Sequence, residues 1–186
     1  MNIIEEIKKS TSGPHKELED KLGGQLFHTN LQASQYRQIL GKFHLAYVTL
    51  EGSISDFPLI QKLLQKRSKI AMLERDIENL SSNDHPELVA QLPFAPVQNL
   101  HEALGVMYVM EGATLGGKYI TGHLKSHGWA NDLNCTSFFN SYGDRRGEMW
   151  KAFIELVENH TKENPRYFDL FMTGVNRTFT YLNSIF

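Results

Sequence analysis

The segment YVMEGATLGGKYITGH, residues 108–123, places three glycines within six positions of an otherwise apolar stretch. They are Gly112, Gly116 and Gly117, and each costs roughly 1 kcal/mol against alanine in a helix interior. At about 100° per residue, Gly105, Gly112 and Gly116 lie within about 40° of one another on a helix. This stripe without side chains favours either close packing of two helices or a flat ligand that lies against the backbone.

His15, in the segment STSGPHKELEDKL, is a candidate metal ligand. On a continuous first helix it shares a face with Ile4, Leu18 and Leu22, so a hydrogen-bonded core histidine is the alternative interpretation. Lys8 lies seven residues earlier on nearly the same face, about 10 Å away along the axis. A neutral imidazole with a cation at that distance suits a metal centre that is carried by a large anionic ligand.

Three other patterns carry weaker signals for chemistry. His123 and His127 have the spacing of a metal-binding pair on a helix, but a solvated face is the favoured interpretation. The segment GATLGGKY fits most of the phosphate-binding pattern G-x-x-x-x-G-K-[ST], yet Tyr119 replaces the hydroxyl residue that holds Mg²⁺, and no strand–helix alternation surrounds it. Cys135 stands in a polar loop with no base nearby in the sequence, which makes it a poor nucleophile.

The composition is that of a globular protein with a real core. The chain has 186 residues, 41% hydrophobic and 22% charged, with a formal net charge of −2, so we expect one domain over residues 1–186 and no binding to nucleic acid or an anionic membrane. A single cysteine rules out an internal disulfide and favours a reducing compartment. No apolar run suits a signal peptide or a membrane span, so we expect a cytoplasmic protein.

Apolar residues recur with helical periodicity along most of the chain, and no convincing alternating strand occurs. The pattern predicts an all-α bundle of about seven or eight helices, and the glycine pair predicts a kink in the longest of them. The predicted helices cover about residues 4–22, 33–53, 58–77, a stretch from Pro86, 97–126, 142–160 and 164–186.

Local start and stop signals refine these boundaries. Pro14 removes a backbone hydrogen bond, so it predicts a kink in the first helix or a fresh start with Ser12 as the cap. Asp56 suits a cap for a helix that begins at Pro58. Residues 127–137 are predicted to form a loop.

Taken together, these residues resemble a heme oxygenase. The segment GPHKELEDKL (13–22) resembles the proximal-histidine signature of that family, and LGVMYVMEGATLGGKYI (104–120) resembles its glycine-rich distal signature. The E-G-x-x-L-G-G form is similar to the bacterial branch often linked to bacteriophytochromes, as is SFFNSYGDRRGEMWKAF (137–153). The similarity covers essentially the whole chain in order and spacing.

The resemblance implies a multi-helix bundle with heme between the first helix and a kinked, glycine-rich distal helix. His15 would bind the iron, and Gly112, Gly116 and Gly117 would form the distal wall with room for O₂. The implied reaction opens heme with O₂ and reducing electrons to give biliverdin, CO and Fe²⁺. A ferredoxin or a flavoprotein reductase would supply the electrons, and a phytochrome is a candidate recipient of the biliverdin.

Other positions match the family less evenly. Lys8 and Lys151 match cations that bind the propionates of heme. Tyr119 and Arg177 are further candidate contacts with heme, and Glu111 is expected to contact it, to join a buried network or to pair with an arginine.

One position departs from the family pattern. Many members carry an aspartate after the first distal glycine, where this chain has Ala113. The phytochrome-linked branch generally lacks this aspartate too, but its absence leaves the route of the protons unassigned. The missing aspartate also leaves open the alternative that the protein binds heme without cleaving it. Two weaker alternatives are a thiaminase-like hydrolase that uses Cys135 and a plain helical interaction module.

Overall fold

The computed structural model describes residues 3–80 and 93–186, and these form a helical bundle without strands. The all-α prediction is therefore confirmed. Within the described ranges there are nine α-helices and one 3₁₀ turn, Gly143–Arg145. The helices are α1 (Ile3–Leu26), α2 (Ala33–Ile54), α3 (Pro58–Arg67), α4 (Ile70–Asn79), α5 (Leu100–Gly112), α6 (Gly117–Leu124), α7 (Gly128–Asp132), α8 (Arg146–Thr161) and α9 (Pro165–Ile185).

The centre of the bundle is α5, which is buried from Glu102 to Glu111 and packs along α9. Two glycines allow the backbones of these helices to approach closely. A Cβ added at Gly105 would lie 2.1 Å from the carbonyl oxygen of Phe171, and one added at Gly174 would lie 2.0 Å from that of Glu102. Since α1 packs on α9 as well, α9 positions both α1 and α5.

The first helix runs through Pro14 without a restart, so Ser12 is not a helix cap. Two contacts with α9 hold α1 in place. The carbonyl of Pro14 accepts a hydrogen bond from the Asn183 side chain at 3.0 Å, and Lys21 Nζ donates to the Asn183 carbonyl at 2.7 Å.

The start of α9 follows its sequence signals. Asn164 is the N-cap and accepts a hydrogen bond from the Arg166 amide at 3.0 Å, and Pro165 is the first helical residue. For α3, the expectation of a cap at Asp56 is wrong, because Phe57 is the N-cap before Pro58.

Two predicted segments are divided differently in the structure. The helix predicted over 58–77 is two helices, because Ser68 has an extended backbone with a ψ of 141° and Lys69 then turns its side chain into the interior. The loop predicted over 127–137 contains the short helix α7. The predicted helix start at Pro86 lies outside the described residues.

The glycine-rich helix is shorter than predicted and is broken rather than kinked. It begins at Leu100, because Asn99 caps it by accepting a hydrogen bond from the Glu102 amide at 2.9 Å. A turn over 113–116 separates α5 from α6. The Thr114 hydroxyl donates to the Glu111 carbonyl at 2.7 Å within this turn. In the described part of the chain, no helix is long and apolar enough to span a bilayer.

Candidate functional site

His15 lies on the surface of α1 rather than in the core, with 54% of its side chain exposed. Its Nδ1 is 3.3 Å from Oε2 of Glu19, one helical turn later. The imidazole packs edge-on against the ring of Phe179 in α9, with 5.7 Å between centroids. A carboxylate on one ring nitrogen is the usual partner of a metal-binding histidine, so Nε2 is the nitrogen that suits a metal.

The glycine stripe divides into packing positions and open positions. Gly105 packs against α9, and a Cβ at Gly117 would lie 1.9 Å from the carbonyl oxygen of Phe139. At Gly112 the nearest atom to an added Cβ is in the Trp150 ring at 3.7 Å, and at Gly116 nothing lies within 4 Å. Close packing against backbone thus explains Gly105 and Gly117, whereas Gly112 meets only the Trp150 side chain and Gly116 has open space where a Cβ would lie.

Exposed apolar side chains flank this bare backbone. Leu115 and Tyr119 are 47% and 79% exposed, and Phe27 at the end of α1 is 38% exposed. The Phe27 ring meets Tyr119 at 5.9 Å. The C-terminal end of α1 therefore reaches α6 through exposed aromatic rings, which leaves apolar surface beside the open glycines.

Glu111, the residue before Gly112, lies in a buried ionic network. Its Oε1 accepts hydrogen bonds from Lys69 Nζ at 2.7 Å and from the Tyr142 hydroxyl at 2.8 Å, and its Oε2 accepts one from the Arg67 guanidinium. The Glu111, Lys69 and Arg67 side chains are 2%, 3% and 8% exposed. Glu51, also buried, accepts a hydrogen bond from the Lys69 amide.

The network joins four parts of the fold at the end of α5. Arg67 also donates to the Met149 carbonyl of α8 at 3.1 Å, and the next residue, Trp150, packs on Gly112 and on the ring of Tyr108.

Burial lowers the pKa of Lys69, against the opposing effect of Glu111, and burial raises the pKa of Glu51. Burial and the Glu111 charge raise the pKa of Tyr142 well above its usual range.

The partners of Glu111 carried no signal in the sequence. Arg67, Lys69 and Tyr142 lie 44, 42 and 31 positions from Glu111 along the chain, and long-range ion pairs have no periodicity. The one available hint is that two basic residues, Arg67 and Lys69, lie close together in the segment 58–77, whose apolar periodicity predicts a single helix.

A comparison with models of protein families decides which family these features belong to. The model described as "Heme oxygenase" matches residues 1–186, the whole chain. The chain belongs to the heme oxygenase family. Family membership confirms the resemblance and supports a heme-related function for this chain. A search of curated proteins found no match.

The other positions that resemble heme contacts of the family differ in their surroundings. Lys8 is exposed, and Lys151 is 80% exposed with its Nζ 3.9 Å from Glu155. Arg177 donates to the Glu102 carboxylate and to the Ala95 carbonyl.

Ala113, at the position of the aspartate found in many heme oxygenases, is exposed in the turn after α5. The carboxylate of Glu111 does not replace that aspartate, since both of its oxygens already accept hydrogen bonds from buried partners. The turn itself therefore offers backbone groups and the Thr114 hydroxyl as its polar atoms.

Cys135 does not provide a nucleophile. Its side chain is fully buried, and burial raises the pKa of the thiol from 9.0 to about 11. Thiolate is the reactive form of cysteine, so the thiol stays protonated and inaccessible at neutral pH, which speaks against the hydrolase alternative.

Proposed function

We propose that this heme oxygenase family member cleaves heme with O₂ and reducing electrons to biliverdin, CO and Fe²⁺. The observation that carries the proposal is the setting of His15, whose imidazole is accessible on α1 and faces a carboxylate from Nδ1. In a core histidine, the ring would be buried and both of its nitrogens would form hydrogen bonds with protein groups. The family match over the whole chain supports the choice of heme as the substrate.

The residues present fit a heme group. The Nε2 of His15 is an imidazole nitrogen of the kind that binds heme iron in many proteins. Gly112 and Gly116 leave backbone that a Cβ would cover, and a flat ring can lie only where side chains are missing. The exposed apolar side chains of Phe27, Leu115 and Tyr119 offer surface for a macrocycle.

The chain's own residues divide the work between binding, orientation and protection. Heme supplies the iron that activates O₂ and the ring that is opened. His15 would hold the iron, and Glu19, 3.3 Å from Nδ1, would fix the orientation of the imidazole. Gly112, Gly116 and Gly117 form the distal wall, in which Gly117 keeps the turn close to Phe139. With Ala113 in place of an aspartate, ordered water held by backbone groups is the proposed route of the protons.

Charged and polar side chains would orient the ring by its edge. Lys8 and Lys151 are exposed ammonium groups suited to the two propionates, and Lys151 would exchange its distant partner Glu155 for one of them. Tyr119 and Arg177 are the remaining proposed contacts with heme. To reach heme, Arg177 would have to give up its ion pair with Glu102. Glu111 contributes indirectly, because it anchors the residue that precedes Gly112.

The protein's partners follow from the reaction. A ferredoxin or a flavoprotein reductase is the proposed electron donor in the cytoplasm, and a phytochrome is the proposed recipient of biliverdin.

An absorption titration of the purified protein with hemin, followed by a reductant in air, tests the proposal. We expect a Soret band that saturates at one hemin per chain and then decays into the spectrum of biliverdin. A band that forms and persists would instead support the non-catalytic heme-binding protein that Ala113 keeps open. Failure to form any band would refute both.

A further inference from the structure

The His123–His127 pair is not the solvated face that the sequence favours. Both side chains are half-buried, and their Nε2 atoms lie 3.4 Å apart. His123 packs edge-on against the Phe27 ring at 5.0 Å, and His127 stacks on Trp129 at 5.8 Å. The Nε2 atoms of the two imidazoles therefore lie next to each other, and the two ring planes are inclined at 78°.

The backbone between the two histidines is also fixed. The His123 carbonyl accepts hydrogen bonds from the Ser126 amide at 2.9 Å and from the Ser126 hydroxyl at 2.6 Å. The His127 amide donates to the Leu124 carbonyl at 3.0 Å, and His127 is the N-cap of α7. The backbone that carries both rings is therefore fixed before any ligand arrives, which lowers the entropy that binding costs.

The distance between the nitrogens matches a tetrahedral metal ion better than a hydrogen bond. Protein hydrogen bonds from N–H groups have lengths of about 2.7–3.2 Å, so 3.4 Å is long for a bond between the two rings. Two nitrogens at about 2.0–2.1 Å from one ion, the usual Zn–N length, would subtend about 110° at that separation. This is close to the tetrahedral angle.

We propose that His123 and His127 bind one divalent transition metal ion of the class that prefers imidazole, with Zn²⁺ as its representative. In the described part of the chain, no group of three or more His, Cys, Asp or Glu is placed to hold a metal ion. A tetrahedral ion held by these two nitrogens has two further coordination positions, which other ligands or water would take. The site uses neither His15 nor heme, and it ties the end of α6 to the start of α7.

Calorimetric titration of the untagged, heme-free protein with ZnCl₂ at neutral pH tests this site. We expect one Zn²⁺ per chain, and at least tenfold weaker binding in His123→Gln and in His127→Gln, which keep a polar side chain. His28→Gln is the matched control, and His15→Ala checks that the ion is not bound there. Both are expected to bind Zn²⁺ as the wild type does.

Co²⁺ provides a second readout that reports on geometry. A tetrahedral Co²⁺ complex absorbs strongly in the visible range, and we expect that absorption in the wild type and its loss in both histidine variants. Circular dichroism confirms that each variant is folded. Unchanged Zn²⁺ affinity in the two folded variants, or no Zn²⁺ uptake by the wild type, would overturn the proposal.

Discussion

At the scale of single residues, exposure separates the histidine and glycines of the proposed site from their neighbours. His15 is accessible on a helix whose other face is buried. Gly105 and Gly117 face protein backbone, whereas Gly112 faces only the Trp150 ring and Gly116 faces open space. Residues of the same type therefore have different roles, and the surroundings of each one decide its role.

His15→Ala removes the nitrogen that is proposed to bind the iron. Because the side chain is half exposed, we expect the fold to be retained and the Soret band of the hemin complex to shift and weaken. Absorption spectra of the wild type, the variant and His28→Ala measure this effect. A variant spectrum identical to that of the wild type would mean that a different residue binds the iron.

Gly112→Leu places a branched side chain against Trp150 and over the proposed distal wall. We expect biliverdin formation to fall at least tenfold, measured as the initial rate of product absorbance with a saturating reductant. Gly122→Leu is the control, because nothing lies within 4 Å of an added Cβ there. Equal rates in both variants would show that Gly112 does not border the reacting ring.

At the scale of the helices, close contact between α5 and α9 sets the position of the glycine-rich turn. That contact depends on Gly105 and Gly174, each of which faces backbone of the other helix. At the other end of α5, the Glu111 network ties the helix to α3, α8 and the loop that carries Tyr142.

Gly105→Ala is expected to lower the free energy of unfolding by about 1–3 kcal/mol or more, because overpacking forces the backbones apart. Urea unfolding followed by circular dichroism measures this change. Gly41→Ala in α2 has open space at Cβ and is expected to stabilise the protein by about 0.5–1 kcal/mol. A stable Gly105→Ala variant would contradict the packing role.

Glu111→Gln leaves two buried cations without their carboxylate. We expect a loss of about 3–5 kcal/mol, the usual cost of breaking a buried ion pair from one side. Glu155→Gln removes the exposed partner of Lys151 and is expected to cost about 0–1 kcal/mol. Thermal and urea unfolding of both variants test the difference, and similar losses would show that the network contributes little.

At the scale of the whole molecule, stability depends on pH through groups that are buried without a counter-charge. Burial raises the pKa of the Cys135 thiol from 9.0 to about 11, so the folded protein holds this proton more tightly than the unfolded chain does. The thiol's contribution to stability is therefore complete below pH 9 and is lost as the pH rises through 11.

Comparison of urea unfolding at pH 8 and pH 10.5 in the wild type and in Cys135→Ala isolates this contribution. We expect the wild type to lose more stability between the two pH values than the variant does. Equal losses would mean that the thiol ionises as readily in the folded protein as in the unfolded chain.

The sequence was informative where a signal is local or periodic. Asn164 and Pro165 marked the start of α9, and helical periodicity predicted the all-α fold. It anticipated a buried network or an arginine partner for Glu111, but it did not identify Arg67 and Lys69, because they come from a distant segment. The glycines of the stripe share one helix face, but their surroundings differ. Gly105 packs against the backbone of α9, whereas Gly116 has open space where a Cβ would lie, and the sequence alone does not distinguish the two. The assignment of residues 1–186 to one domain stays a prediction.

The central claim is that heme lies against the bare backbone of Gly112 and Gly116 with its iron on His15. A crystal structure of the hemin complex tests this claim most directly. The account predicts iron bound by Nε2 of His15, with Nδ1 beside Glu19 and the ring between α1 and the turn that joins α5 to α6. Iron on another histidine, or a ring that does not contact Gly112 and Gly116, would contradict it.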